Sequence, residues 1–330
     1  MAINADILHT LTKGSPEEAW QVIMTNTLEI ASRSLDAVQL PGEIINRDRE
    51  IGAFDHFLAT SGWELWQTFS NVVEKTSDRL VHWWKEPYHA KALLILDGLS
   101  LRELPWLLQG AKEHGFTLHQ VAATSSELPG KTNEFARALG FNSRSQLQNN
   151  GGGFSHKLQP ASTECVGMPW KDCQSLIDGA LNWIFWHQWP DSKVHECAGA
   201  GRGLEILAND AQEQLTDKEF WCFVERLATG RRLVITSDHG YAATGHFSDA
   251  DGDVAQFLKQ TFASGRSSAG ANDGGPFIPP VAVSINSMHG QHLLALGRRK
   301  WRSQGGYPTL AHGGLSLLEV LSPWIEISKI

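Results

Sequence analysis

The stretch Leu93-Leu94-Ile95-Leu96-Asp97-Gly98 decides how this chain is read, because a short apolar run stops abruptly on a carboxylate and a glycine. A run of that length without polar alternation fits a strand buried on both faces, as in a parallel sheet. Apolar runs of this kind occupy 92–96, 118–123, 181–186, 233–235, 281–285 and 293–296. Helical patterns lie between them at 101–114, 132–139, 204–228 and 254–262. Strands alternating with helices indicate an α/β fold around a mainly parallel sheet flanked by helices. Ligand sites in such sheets sit at the carboxyl ends of the strands.

The part before Pro87 reads differently. Ser15-Pro16-Glu17-Glu18 is a helix start, with Ser15 as N-cap, Pro16 at the first position and Glu18 three residues after the cap. Apolar residues then recur at helical spacing through Ile23, Leu28 and Ile30, then Phe54, Phe57 and Leu58, then Trp63, Trp66, Phe69 and Val72. The chain therefore divides into an N-terminal helical region, 1–88, and an α/β part, 89–330. Stretches 149–153 and 264–280, rich in Gly or in Gly, Ser and Pro, read as surface loops.

The chain has 330 residues, with 28 Lys and Arg against 36 Asp and Glu, giving a net charge of −8. Hydrophobic content of 42% with 19% charged residues excludes a disordered chain, and the length supports a sizeable core. No apolar run reaches the roughly 18 residues of a membrane span, and Glu17 and Glu18 sit where a signal peptide would be apolar. A cytoplasmic protein without membrane attachment is expected. Cys165, Cys173, Cys197 and Cys222 lack Cys-x-x-Cys spacing and read as thiols. The acidic balance argues against binding nucleic acid through a broad basic face, but not against a site where metal ions supply positive charge.

Such a site emerges at the ends of the apolar runs. The first ends on Asp97. The run near 185 leads into Asp191-Ser192-Lys193-Val194-His195, the run near 234 into Thr236-Ser237-Asp238-His239-Gly240, and His312-Gly313-Gly314 comes late in the chain. Three Asp and three His suit Zn or Mn, and the i, i+4 spacing of Asp191 and His195 lets them share one helical face. Three carboxylates with neutral imidazoles sum to −3, and two divalent ions would bring the site to +1, matched to an anionic phosphate. Singly, each residue has a plainer reading as a cap, a turn or a solvated side chain. Their shared placement at strand ends favours a site.

From Lys91 onward this combination resembles the alkaline phosphatase superfamily, and within it the PglZ-domain branch, whose His-Gly-Gly-x-Ser-Leu ending is similar to His312-Gly313-Gly314-Leu315-Ser316-Leu317-Leu318-Glu319. The resemblance implies two metal ions, Zn or Mn. One would be held by Asp97, Asp238 and His239 with the nucleophile, the other by Asp191, His195 and His312. It implies a nucleophile in a Pro-x-x-Thr segment, here Pro129-Gly130-Lys131-Thr132, hence Thr132. Asn133 and Arg137 are the nearby candidates for a non-bridging phosphate oxygen. The expected activity is a phosphodiesterase acting on nucleotides or nucleic acid. The resemblance also implies a place in a bacterial anti-phage (BREX-like) or signalling system, with partner proteins docking on the helical region. The alternative is a non-catalytic scaffold in such an assembly.

Other motifs fit less well. Gly130-Lys131-Thr132 ends like a P-loop, but its first glycine would fall on Ser125. Asp249-Ala250-Asp251-Gly252-Asp253 lacks the later Gly and Glu of a calcium loop and reads as a helix start. Arg298-Arg299-Lys300-Trp301-Arg302 reads either as a solvated turn or as a phosphate or nucleic-acid contact, and His246, His289 and His292 as surface, core or site-lining residues.

Overall fold

The computed structural model describes residues 3–35, 40–153, 155–199, 201, 203–244, 249–270, 273–303 and 308–329. Five helices come first: α1 (Ala5–Lys13), α2 (Pro16–Ser32), α3 (Leu40–Thr60), α4 (Trp66–Val72) and α5 (Thr76–Lys85). The start of α2 is the capping box read from the sequence, with Ser15 accepting from Glu18 N and Glu18 from Ser15 N. Trp20, Trp66 and Phe69 interlock at its centre, and Trp20 Nε1 donates to Leu65 O. These Trp side chains are core.

The rest alternates strand and helix: β1 (Lys91–Leu96), α6 (Leu104–Glu113), β2 (Thr117–Ser125), α7 (Thr132–Leu139), β3 (Ser162–Val166), α8 (Trp170–Cys173), β4 (Trp183–His187), α9 (Asp191–Glu196), α10 (Gly203–Thr216), α11 (Lys218–Ala228) and β5 (Arg232–Thr236), of which β3 and α8 lie outside the runs and helical patterns read from the sequence. After the short β6 (Ala242–Ala243) come α12 (Gly252–Phe262), β7 (Ser267–Ala269), β8 (Ala282–Ser287), β9 (Gly290–Ala295), β10 (Leu310–Ala311), α13 (Leu317–Val320) and β11 (Leu321–Ser328). The main sheet runs β2-β11-β5-β1-β4-β3. β1 is parallel to β4 and β5, and β3 to β4, while β11 lies antiparallel between β2 and β5. This is an α/β fold with a mostly parallel central sheet, flanked by helices and preceded by helices.

Three readings change. The runs at 281–285 and 293–296 are strands, but they pair with β7 in a separate three-stranded antiparallel sheet. β7 itself lies inside the stretch read as loop. The pattern over 204–228 breaks into α10 and α11 at Asp217, whose side chain accepts from Glu219 N as a cap. One large apolar cluster takes in Trp20, Phe54 and Phe69 from the helical region together with Leu94, Phe185 and Ile325 from the sheet. Among the described residues no helix is long and apolar enough to cross a membrane.

Candidate active site

The carboxyl ends of β1, β4 and β5 meet the segment before α13, and all six Asp and His residues read from the sequence arrive there. Asp97 follows β1, and its backbone is tied to the next segment: His187 O accepts from Asp97 N at 3.0 Å and Asp97 O from Asp191 N at 2.8 Å. Gly98 has φ +75°, and a Cβ there would stand 3.1 Å from Asp191 Cβ, so the approach of these two strand ends requires glycine.

Asp97, Asp238 and His239 are fully buried. Asp97 Oδ2 accepts from Trp186 Nε1 at 3.0 Å and from Arg144. Its Oδ1 is left facing Thr132 Oγ1 at 3.3 Å and His239 Nε2 at 3.9 Å. Asp238 Oδ1 accepts from Gly98 N at 2.9 Å, and its Oδ2 lies 3.4 Å from His239 Nε2. Asp191 Oδ2 is 3.5 Å from His195 Nε2, and its Oδ1 is 3.6 Å from His312 Nε2.

Two backbone carbonyls fix the imidazole tautomers. His239 Nδ1 faces Gly240 O at 2.9 Å and His312 Nδ1 faces Gly130 O at 3.1 Å, so each donates there and keeps the Nε2 lone pair for the site. Sets of ligand atoms close enough to share an ion are Asp191, His195 and His312, and Asp97, Asp191 and His239. The first is the expected trio. In the second Asp191 takes the place expected of Asp238, so Asp191 stands between two candidate metal positions.

The electrostatics agree with a site built for cations. Burial, and then the charges of Asp238 and Asp191, push the Asp97 carboxyl up to about 8. Burial also opposes ionisation of Asp191, but its hydrogen bond with His195 and the neighbouring imidazoles hold it down to about 2. Burial and then His239 push His312 down to about 3, leaving a neutral imidazole. His195 is raised by its bond to Asp191, and His239 is raised by three carboxylates that outweigh its burial. Asp191 Oδ1 and Asp238 Oδ2 are buried without a hydrogen-bond partner. Buried carboxylate oxygens left open are costly unless something positive meets them. Three carboxylates, two imidazoles presenting a free Nε2, a third imidazole against Asp191 and two open oxygens fit a pair of divalent ions.

Thr132 opens α7, the position read for it, with its Oγ1 also 3.4 Å from His239 Nε2. Asn133 and Arg137 are exposed on the same helix, with Arg137 3.6 Å from Glu134. Arg144 and Trp186, which grip Asp97, give no signal in the sequence: Trp186 looks like core, and Arg144 lies in an irregular segment without a pattern. Two members of the basic stretch, Arg298 and Trp301, are buried in structural contacts. Arg298 is fully buried against Asp48 at 2.7 Å and Asp55 at 2.6 Å, and Trp301 packs on Phe262. The His289 side chain, 5% exposed, meets Glu127 at 3.0 Å, and His292 Nδ1 faces Gly290 O at 3.3 Å. His246 lies outside the described residues.

No protein-family model and no curated protein matches this chain. Among solved structures it is similar to murine ectonucleotide pyrophosphatase/phosphodiesterase 5, with TM-score 0.46, 11% identity, and coverage of 72% of this chain and 87% of that one. An inactive form of that protein in complex with AMP gives TM-score 0.45 at the same identity and coverage. At that distance nothing about chemistry transfers from the neighbour to this chain.

Proposed function

We propose that this protein is a two-metal phosphoesterase of the alkaline phosphatase type, acting as a phosphodiesterase on nucleotide or nucleic-acid substrates through Thr132. The observation that carries the reading is the convergence of Asp97, Asp191, His195, Asp238, His239 and His312 around a helix-initiating threonine. A scaffold would have no use for open buried carboxylate oxygens beside imidazoles held in the ligating tautomer.

Asp191, His195 and His312 would hold one ion, and Asp97, His239 and Asp238 the other with Asp191 between them. Zn fits this donor set, and Mn is the second choice. Bound divalent ions supply Lewis-acid stabilisation of phosphoryl oxygens and make a coordinated hydroxyl easier to ionise. Thr132 Oγ1, oriented by Asp97 and His239, would give up its proton toward them and form a bond to phosphorus as the bond to the leaving oxygen breaks; that oxygen would leave as the protonated alcohol, and water would then cleave the Thr132–phosphorus ester, which still carries the second alcohol, to release a phosphomonoester. The free N–H groups at the start of α7 favour the negative charge gathering there. Asn133 and Arg137 are the proposed contacts to a non-bridging oxygen. Placement in the PglZ branch, with an anti-phage role in the cytoplasm and partners on the helical region, rests on the 312–319 segment.

The test is hydrolysis of bis(p-nitrophenyl) phosphate by purified protein supplied with Zn or Mn. Turnover abolished by chelator and by Asp238→Ala is expected; chelator-resistant turnover, or full activity in folded Asp238→Ala, rejects the assignment.

A further inference from the structure

The rings of His239 and His312 stack 4.1 Å apart, and the backbone beyond each is held by the same buried residue. Glu319 Oε1 accepts from Gly314 N at 2.5 Å and from Arg266 Nε at 2.9 Å, while Oε2 accepts from Ser316 Oγ at 2.9 Å. Its backbone oxygen accepts from Gly240 N at 3.0 Å. A Cβ on Gly240 would fall 2.2 Å from Leu318 O, so the His239 segment lies directly on the turn that carries Glu319. Arg266, 2% exposed, also donates to Gly297 O and Arg299 O and so anchors this turn to the three-stranded sheet. The charge is placed where the two histidine segments are joined.

Resting on the metal-centre reading above, we infer that Glu319, braced by Arg266, is a positioning residue that sets the spacing of His239 and His312 and thereby the affinity of both metal positions. A buried ion pair is a weak source of net stability, but groups behind metal ligands set ligand orientation, and their loss costs about 10- to 100-fold in affinity. The hydrogen-bond pattern defines the chemistry required. Gln can keep an oxygen toward Gly314 and Arg266 and donate to Ser316, whereas Asp is one methylene short.

Full-length protein stripped by chelator is titrated with Co(II), whose visible bands report coordination. Two equivalents are expected for the wild type. Glu319→Asp is expected to weaken uptake about 10- to 100-fold with altered bands, Ser316→Ala to weaken it less, and Glu319→Gln to restore it. Glu326→Ala removes the acceptor shared by Arg232 Nε at 2.7 Å and Trp83 Nε1 at 3.1 Å near the start of β5, and is expected to lower thermal stability without moving the Co(II) titration. Wild-type affinity and bands in folded Glu319→Asp and Ser316→Ala overturn the inference alone. A wild-type protein that takes up no Co(II), Zn or Mn overturns the metal-centre reading and this inference with it.

Discussion

Thr132 Oγ1 lies 3.3 Å from Asp97 Oδ1, although one residue opens a helix after β2 and the other follows β1. With His239 Nε2 at 3.4 Å the hydroxyl has two acceptors for its single proton and an oxygen directed into the site. Thr132→Ala should therefore lower turnover of a diester by at least about 10³-fold, the scale on which loss of a nucleophile is felt. Thr132→Ser keeps the oxygen and should remain within about tenfold. Mass spectrometry of wild-type protein acid-quenched during turnover of bis(p-nitrophenyl) phosphate should find one added p-nitrophenylphosphoryl group on the peptide containing Thr132; an unmodified peptide together with an active Thr132→Ala protein would remove the nucleophile from the mechanism.

Asp191 faces both sets of ligand atoms, whereas His195 belongs to one and its side chain is 63% exposed. Elemental analysis after metal repletion should find about two ions in the wild type, about one in His195→Ala and fewer than one in Asp191→Asn. Equal metal content in the two variants would show that Asp191 does not stand between the positions.

The metal-free protein should lose stability as pH rises from about 6.5 to 8. Asp97, raised to about 8, holds its proton in the folded state where the unfolded chain has released it. A group raised on folding contributes stability below its unfolded pKa that is lost as pH climbs through its folded value, and the raised His195 and His239 add in the same direction. His312, lowered to about 3, opposes this only below about pH 6.5, where the unfolded imidazole becomes protonated. Melting temperatures of chelated protein should fall across that interval, and those of metal-loaded protein should not. A flat profile without metal would mean that burial beside Asp238 and Asp191 does not hold the proton on Asp97 in the folded protein.

Much of the sheet and of the site could be read from residues because both obey local rules. β1 ends visibly at Asp97-Gly98, and Asp191 and His195 carry their relationship in their spacing. β11 is absent from the apolar runs, since Pro323 and Glu326 interrupt its pattern, and only pairing with β2 and β5 makes it a strand. Arg144 left no trace in the sequence because its contact with Asp97 depends on how an irregular segment folds back. The basic stretch at 298–302 misleads for the opposite reason. Its charge is conspicuous, yet the carboxylates that neutralise Arg298 lie far back in the chain.

Those carboxylates tie the helical region to the site. Asp48 on α3 lies 2.6 Å from Arg102 and 2.7 Å from Arg298, and Asp55 lies 2.6 Å from Arg298 and accepts from Leu317 N at 2.7 Å, at the start of α13. Arg102 donates in turn to Tyr241 O at 2.6 Å, just beyond His239 and Gly240. Removing one partner of a buried pair costs about 3–5 kcal/mol because it strands the other charge, a large share of the roughly 5–15 kcal/mol that holds a domain folded. Deleting residues 1–88 takes away both carboxylates and uncovers the apolar surface beneath α3. Residues 89–330 expressed alone should therefore show neither a cooperative melt nor protection from proteolysis, and Asp48→Ala in the whole chain should melt many degrees below the wild type. A fragment 89–330 that melts cooperatively near the wild-type temperature and binds two metal ions would show instead that the helices are an appendage, and that Arg102 and Arg298 find other partners without them.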